Sequence, residues 1–275
     1  MIKIMVDSAS DCFGTDLYDA FVPIRVNIGG KEYQDGVSLD RDTFYRLLTE
    51  TEEFPQTSQP SPDEFLTHFE QIKADGDELI YFTLSGALSG TYQSANIAKA
   101  MVGYAGIYLV DSKTASHMIG LLAQYARDLI AQGLSAGEIA AKCEELKGKI
   151  RVFAGVDTLE YLKRGGRIGK ASALVGTLAN IKPIITVSAE GAVDAVGKTL
   201  GFGRAVQAIA DKVKTFTIDE RFPVCSLYTY GEENCIKLEE KLKADGLTIA
   251  KRLQIGSAIG THVGPGVYGV FFVEK

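Results

Sequence analysis

Two stretches of this sequence concentrate small hydroxyl side chains beside helix starts. Thr57-Ser58-Gln59-Pro60-Ser61 precedes one helical pattern, and Leu88-Ser89-Gly90-Thr91-Tyr92 runs from a strand end into another. Ser61 is accounted for as a helix N-cap, and Ser89 can serve as one too. Thr57, Ser58, Ser89 and Thr91 together are still more donors than two helix starts need. Hydroxyls and free backbone N–H groups at helix N-termini favour an anion. A phosphate would usually recruit a lysine or arginine locally. Neither stretch contains one, so a carboxylate fits better.

Two further clusters carry charge or a titratable ring. Lys163-Arg164-Gly165-Gly166-Arg167-Ile168-Gly169-Lys170 gathers four cations in an otherwise acidic chain. It reads either as a solvated basic turn or as a site for a phosphate or an acidic partner surface. Gly260-Thr261-His262-Val263-Gly264-Pro265-Gly266 reads as a glycine-dense loop around one histidine. Such a loop suits a structural ring, a proton-transfer group or an anion contact.

Other chemistries are disfavoured by spacing. His68, His117 and His262 lie far apart, and no paired-cysteine or H-E-x-x-H pattern exists, so a metal centre is not expected. Gly264 to Gly269 matches G-x-G-x-x-G, but it leads into an apolar strand pattern and not the helix that a dinucleotide site requires. No Walker A sequence and no G-x-S-x-G elbow occur. A Ser89–His262–Asp7 arrangement can still be assembled on paper, because a triad is defined by geometry.

The elements that must position these residues alternate in the first half. Ile2 to Val6 reads as a buried strand, and Phe21 to Ile28 as a strand closed by Gly29-Gly30. Helical patterns cover Asp40 to Glu50, 61–74, 90–102, 114–132 and 135–147, with capping boxes at Ser61/Glu64 and Ser135/Glu138. Strand patterns fall at 78–84 and 106–110. This rhythm predicts a mostly parallel sheet with flanking helices, whose ligand lies beyond the strands' carboxyl ends. The segments DSASD, SGALSGT and DSKTAS stand at such ends.

From Arg151 onward the pattern changes. A strand at 151–156 and a hairpin around Glu190-Gly191 precede a helix at 203–215. Strand 223–230, helix 232–245, strand 248–255 and a last strand at 267–273 complete the chain. The expectation is therefore an α/β protein of two domains: 1–148 with a mostly parallel sheet, and 149–275 an α+β domain with a mixed sheet.

Composition agrees with a globular protein. Of 275 residues, 46% are hydrophobic and 23% charged, which disfavours disorder. A net charge of −6 argues against nucleic acid as a partner. Cys12, Cys143, Cys225 and Cys235 form no C-x-x-C pair and read as buried thiols. No apolar run approaches the roughly 18 residues of a membrane span. The start, MIKIMVDSASD, lacks the basic, long apolar character of a signal peptide, so a cytoplasmic location is expected.

Taken in order, VDSASD at 6–11, TSQPS at 57–61, LSGTYQSA at 88–95 and LVDSKTAS at 109–116 resemble the DegV family. LKRGGRIGK at 162–170, IKPIITV at 181–187 and GTHVGPG at 260–266 extend the resemblance over nearly the whole chain. It implies a two-domain fatty-acid carrier, bacterial, with no cofactor and a long-chain fatty acid as ligand. The tail would lie in an apolar pocket and the carboxylate at the domain interface. It further implies that a separate ATP-dependent kinase subunit converts the bound acid to an acyl-phosphate for phospholipid synthesis. Thr57 and Ser89 would hydrogen-bond the carboxylate. Ser58, Gly90, Thr91, Arg167 and His262 would lie near the head group or a docked partner. Ala173, Leu174, Val175 and Leu178, read as a helix, are candidates for the pocket wall or for ordinary core. Two other readings stand beside the carrier: a serine hydrolase or acyltransferase using Ser89 and His262, and a phosphosugar-binding or regulatory protein using the basic turn.

Overall fold

The computed structural model describes residues 1–51, 53–175 and 180–275. The chain opens with β1 (Ile2–Asp7) and β2 (Ala20–Val22), then a hairpin of β3 (Arg25–Ile28) and β4 (Lys31–Gln34). Helix α1 (Arg41–Glu50) leads to β5 (Gln56–Ser58) and α2 (Pro62–Asp75). Then β6 (Glu78–Thr83), α3 (Thr91–Val102), β7 (Ile107–Asp111), α4 (His117–Ala131) and α5 (Ala136–Lys147) follow. The second half runs β8 (Ile150–Gly155), α6 (Glu160–Arg164), β9 (Ile181–Val187), β10 (Val193–Leu200) and α7 (Phe202–Val213). It ends with β11 (Cys225–Tyr228), α8 (Glu233–Ala244), β12 (Lys251–Gln254), α9 (Ser257–Val263) and β13 (Tyr268–Val273).

The first sheet has the order β2-β1-β6-β7 and is parallel throughout. Both its faces are covered, and the alternation of side chains along each strand shows how. Met5, Leu79 and Tyr81 pack with Phe65 and Phe69 of α2. Ile4, Val6, Ile80 and Phe82 point the other way, into a core shared with α4 and α5. Capping boxes at Ser61 and Ser135 start α2 and α5, as their sequences predict.

The second sheet is mixed, in the order β10-β9-β8-β13-β11-β12, with only β11 and β12 parallel. Helices α7 and α8 cover the face carrying Phe153, Tyr268, Val270 and Phe272. The other face, with Val152, Ala154 and Phe271, joins the same core as Ile4 and Val6. Helix α5 ends at Lys147 and β8 begins at Ile150, and this core draws side chains from both sides of that gap. The α/β class, the parallel first sheet and the mixed second sheet match the sequence expectation.

Four local expectations change. The strand expected over Phe21 to Ile28 is two strands, because Pro23 lacks the N–H that would continue a ladder. Here β2 stays in the parallel sheet, while β3 turns away to an antiparallel β4-β3-β5 sheet. Thr57 and Ser58, expected in a loop, lie on β5, paired with Val26 and Arg25. Helix α3 is capped by Gly90, one residue after Ser89. The segment expected to be a loop around His262 is helix α9, which ends at Gly264.

Candidate functional site

A cavity of about 410 Å³ lies against the second sheet and the segments that follow β6 and β7, and both halves of the chain line it. Its floor is the core-facing side of the second sheet, where Val152 and Ala154 of β8 alternate inward with Ile185 and Val187 of β9. Met118 of α4 and Ile259 of α9 contribute to the opposite walls. Most of the lining is apolar. Most of the polar groups gather at one end: Thr57, Ser58 and Gln59 from β5 and its exit, Ser89, Arg167, and His262 of α9; Ser116 and Thr186 also line the cavity, their hydroxyls donating to Asp11 and to the Val152 carbonyl.

Each polar group is held by its neighbours. Thr57 Oγ1 lies 2.8 Å from His262 Nε2, a contact between residues 205 apart in sequence. With the proton on Nε2, the ring donates to Thr57 and leaves the threonine's own hydrogen directed to the cavity. His262 Nδ1 has no hydrogen-bond partner among the described residues. Gly165 packs against that nitrogen, and a Cβ there would come within 2.2 Å of it. Burial, with the neighbouring Arg167 charge, holds the His262 pKa down to about 4. The ring is therefore neutral at neutral pH.

Ser89 Oγ lies 2.9 Å from Thr91 Oγ1 and accepts the Thr91 N–H at 3.3 Å. Thr91 is fully buried. When both Thr91 groups donate to Ser89, the serine hydrogen is free for an acceptor in the cavity. Arg167 turns inward, donating Nε to the Leu88 carbonyl at 2.9 Å and Nη1 to the Gly165 carbonyl at 2.5 Å. Gln59 Nε2 donates to Ser94 Oγ at 3.0 Å, and Gly90 lies flat against the Gln59 carboxamide. Thr57, Ser58, Ser89, Arg167 and His262 thus share the polar end, with Gly90 and Thr91 immediately behind. Gln59 has the same placement as its neighbours in the TSQPS cluster, and that adjacency was the available signal for it.

Outward of Thr57, Arg167 and His262, which line both, a polar recess of about 370 Å³ opens. It is walled by Phe54, Tyr161 and Arg164. Arg164 pairs with Glu160 at 2.6 Å and lies over the Phe54 ring. Lys170 lies 3.9 Å from Asp194. The basic run therefore splits: Arg167 faces the cavity, while Lys163, Arg164 and Lys170 are exposed.

Several expectations are corrected here. Ser89, His262 and Asp7 form no relay. Ser89 partners Thr91, His262 partners Thr57, and Asp7 accepts from Leu84 N at 2.7 Å and Ala9 N at 3.1 Å. The suggested pocket wall after the basic turn is a 3-10 turn, Gly169–Leu174. Ala173 and Val175 are exposed, and Leu174 is half-buried outside the cavity lining. Leu178 lies outside the described residues. Among those residues, no group of three or more His, Cys, Asp or Glu is arranged for a metal, and no helix is long and apolar enough to cross a membrane.

A buried acidic group, unread in the sequence, positions α9. Asp11 accepts from Gly256 N at 2.9 Å, and Asp35 accepts from Ser257 N at 3.2 Å. The two carboxylates thereby cap the helix that carries His262. Burial pushes both up to about 7, and Asp11 adds repulsion to Asp35.

The likeness to known proteins covers the full chain. The family model described as "Uncharacterised protein, DegV family" matches residues 1–275. A DegV domain-containing protein of Caldanaerobacter subterraneus subsp. tengcongensis is 38% identical, covering 100% of this chain and 99% of the relative. A fatty acid-binding DegV family protein of Thermus thermophilus superposes with TM-score 0.89 at 33% identity, covering 100% of this chain and 99% of that one. A stearic acid-binding protein of Eubacterium ventriosum gives TM-score 0.88 at 28% identity, covering 100% and 99%. With its motifs, its sheets and its whole length matched, this chain belongs to the DegV family.

Proposed function

We propose that this chain binds one long-chain fatty acid, with its tail in the apolar cavity and its carboxylate at Thr57 and Ser89. The observation that carries this reading is the polarity of the cavity: mostly apolar, with two hydroxyls held by their neighbours, a neutral histidine and one arginine grouped at one end. Each methylene buried is worth roughly 0.8 kcal/mol, so a sequestered tail supplies most of the affinity. Two hydroxyls whose other positions are occupied by His262 and Thr91 present hydrogens to a carboxylate. Stearic acid as ligand of the Eubacterium ventriosum relative supports the same assignment.

In this reading the protein is a non-catalytic, cytoplasmic carrier whose two domains meet near Gly148. Ser58, Gly90, Thr91, Arg167 and His262 surround the head group or receive a partner. A separate kinase subunit reaches the carboxylate through the polar recess and converts it to an acyl-phosphate. The lack of a relay at Ser89 favours this over hydrolysis.

The test is native mass spectrometry of the purified protein followed by lipid extraction. A co-purifying acid in the myristic to stearic range, lost when Thr57→Ala and Ser89→Ala are combined, is the expected result. A protein that carries no acid and takes up none when it is added would refute the reading. Turnover of an activated ester that disappears in Ser89→Ala would establish the hydrolase instead.

A further inference from the structure

The cavity has a second end. Ala154 pairs with Ile185 across β8 and β9, and Val187 pairs with Val193 across β9 and β10. Continuing the first register by two residues sets Val152 opposite Val187. The Thr186 hydroxyl on the Val152 carbonyl, at 2.6 Å, holds that alignment. Val152, Val187 and Val193 therefore form a row across three adjacent strands, and all three line the cavity.

The recess outward of Thr57, Arg167 and His262 has no lining residue in common with the space that Val152 and Val187 adjoin. Val152 and Val187 also line a smaller cavity of about 110 Å³, so they are a partition between the two spaces. Beyond the partition stand Lys113, Lys147 and Arg151. Their charges are engaged by Asp111 at 2.8 Å, Glu144 at 2.6 Å and Glu274, respectively. The annex thus offers room and not a competing carboxylate site.

We propose that Val152 and Val187 are the end wall that sets the longest acyl tail, with Val187 as the specificity-determining residue. The inference rests on the fatty-acid reading above. Val187 is the middle member of the row and half-buried, so its side chain controls passage into the annex. Shortening it joins the two spaces, and enlarging it shortens the main one.

Wild type, Val187→Ala, Val187→Ile and Val187→Phe are stripped of lipid. Each is then offered an equimolar series of saturated even-chain acids from lauric to behenic, and occupancy is read by native mass spectrometry. Val187→Ala is expected to shift the profile to longer acids, by roughly fourfold for each methylene newly accommodated. Val187→Ile and Val187→Phe are expected to shift it to shorter ones. Circular dichroism checks folding, and Val187→Ala and Val187→Ile decide the matter if the phenylalanine variant does not fold. A wild type that loads acids while every folded variant keeps its profile overturns the end-wall assignment alone. A wild type that loads none overturns the fatty-acid reading and this inference together.

Discussion

At the scale of single residues, the polar end works because its members constrain one another. His262 stands beside Arg167, and a charged ring there would be both desolvated and repelled. The imidazole is therefore a neutral hydrogen-bonding group that orients Thr57. Its NMR ring signals are expected to stay flat from about pH 5.5 to about pH 8, with protonation only below that range. An inflection near the ordinary histidine value of roughly 6.5 would show that the ring is solvated or faces an acid. Thr57, Ser89, Arg167 and His262 were each legible in the sequence as surplus donors or clustered charge. Their pairing was not, because nothing local in TSQPS or GTHVGPG indicates a contact across 205 residues.

At the scale of elements, α9 and β5 were the least legible pieces, and for different reasons. Three polar residues, Gln56 to Ser58, give too short a pattern to mark a strand; β5 exists because β3 offers it an edge. Helix α9 was hidden by glycines that look like loop signals. Gly256 and Gly264 are its two caps, and Gly260, the one glycine inside it, packs against Tyr45 and Phe44. Asp11 and Asp35 fasten the start of α9, and burial keeps their protons bound to about pH 7. Unfolded aspartates release theirs near pH 3.9, so over the interval between the two values the folded state holds more protons. Stability contributed by these groups therefore falls as pH rises through that window. His117 and His262, both lowered to about 4, act in the opposite direction below about pH 6.5, so the variant must be compared with wild type at each pH. Asp35→Asn keeps an acceptor for Ser257 N without the charge. Its melting temperature relative to wild type is expected to be a few degrees higher at about pH 8 than at about pH 5. A difference independent of pH would show that Asp35 does not titrate in this window.

At the scale of the whole molecule, the alternation of strands and helices foretold the two larger sheets but not the small β4-β3-β5 sheet, since long apolar runs and capping boxes are local signals. The joining of the two halves was not foretold by periodicity; only the family resemblance implied a site at a domain interface. Periodicity shows which face of an element is apolar, and not what that face meets, whereas here Ile4, Val152 and Phe271 belong to one core. The cavity lies inside that joint, so ligand and fold are thermodynamically linked. A ligand at about a hundredfold excess over its Kd adds about 2.7 kcal/mol of stability. For a chain of this size that corresponds to a rise in melting temperature of roughly 5 °C or more when a long-chain acid is added to lipid-stripped protein. Thermal denaturation of stripped and reloaded samples measures it, and the Thr57→Ala/Ser89→Ala protein should show a much smaller rise. In the proposed carrier, one set of side chains would serve as both core and container, and a bound tail would act as a non-covalent extension of the sequence's own hydrophobic inventory. Substitutions at Val152 and Val187 would then be screened twice, once for folding and once for cargo. The mutational tolerance of those positions would become a property of the lipids that surround the protein as well as of the chain itself.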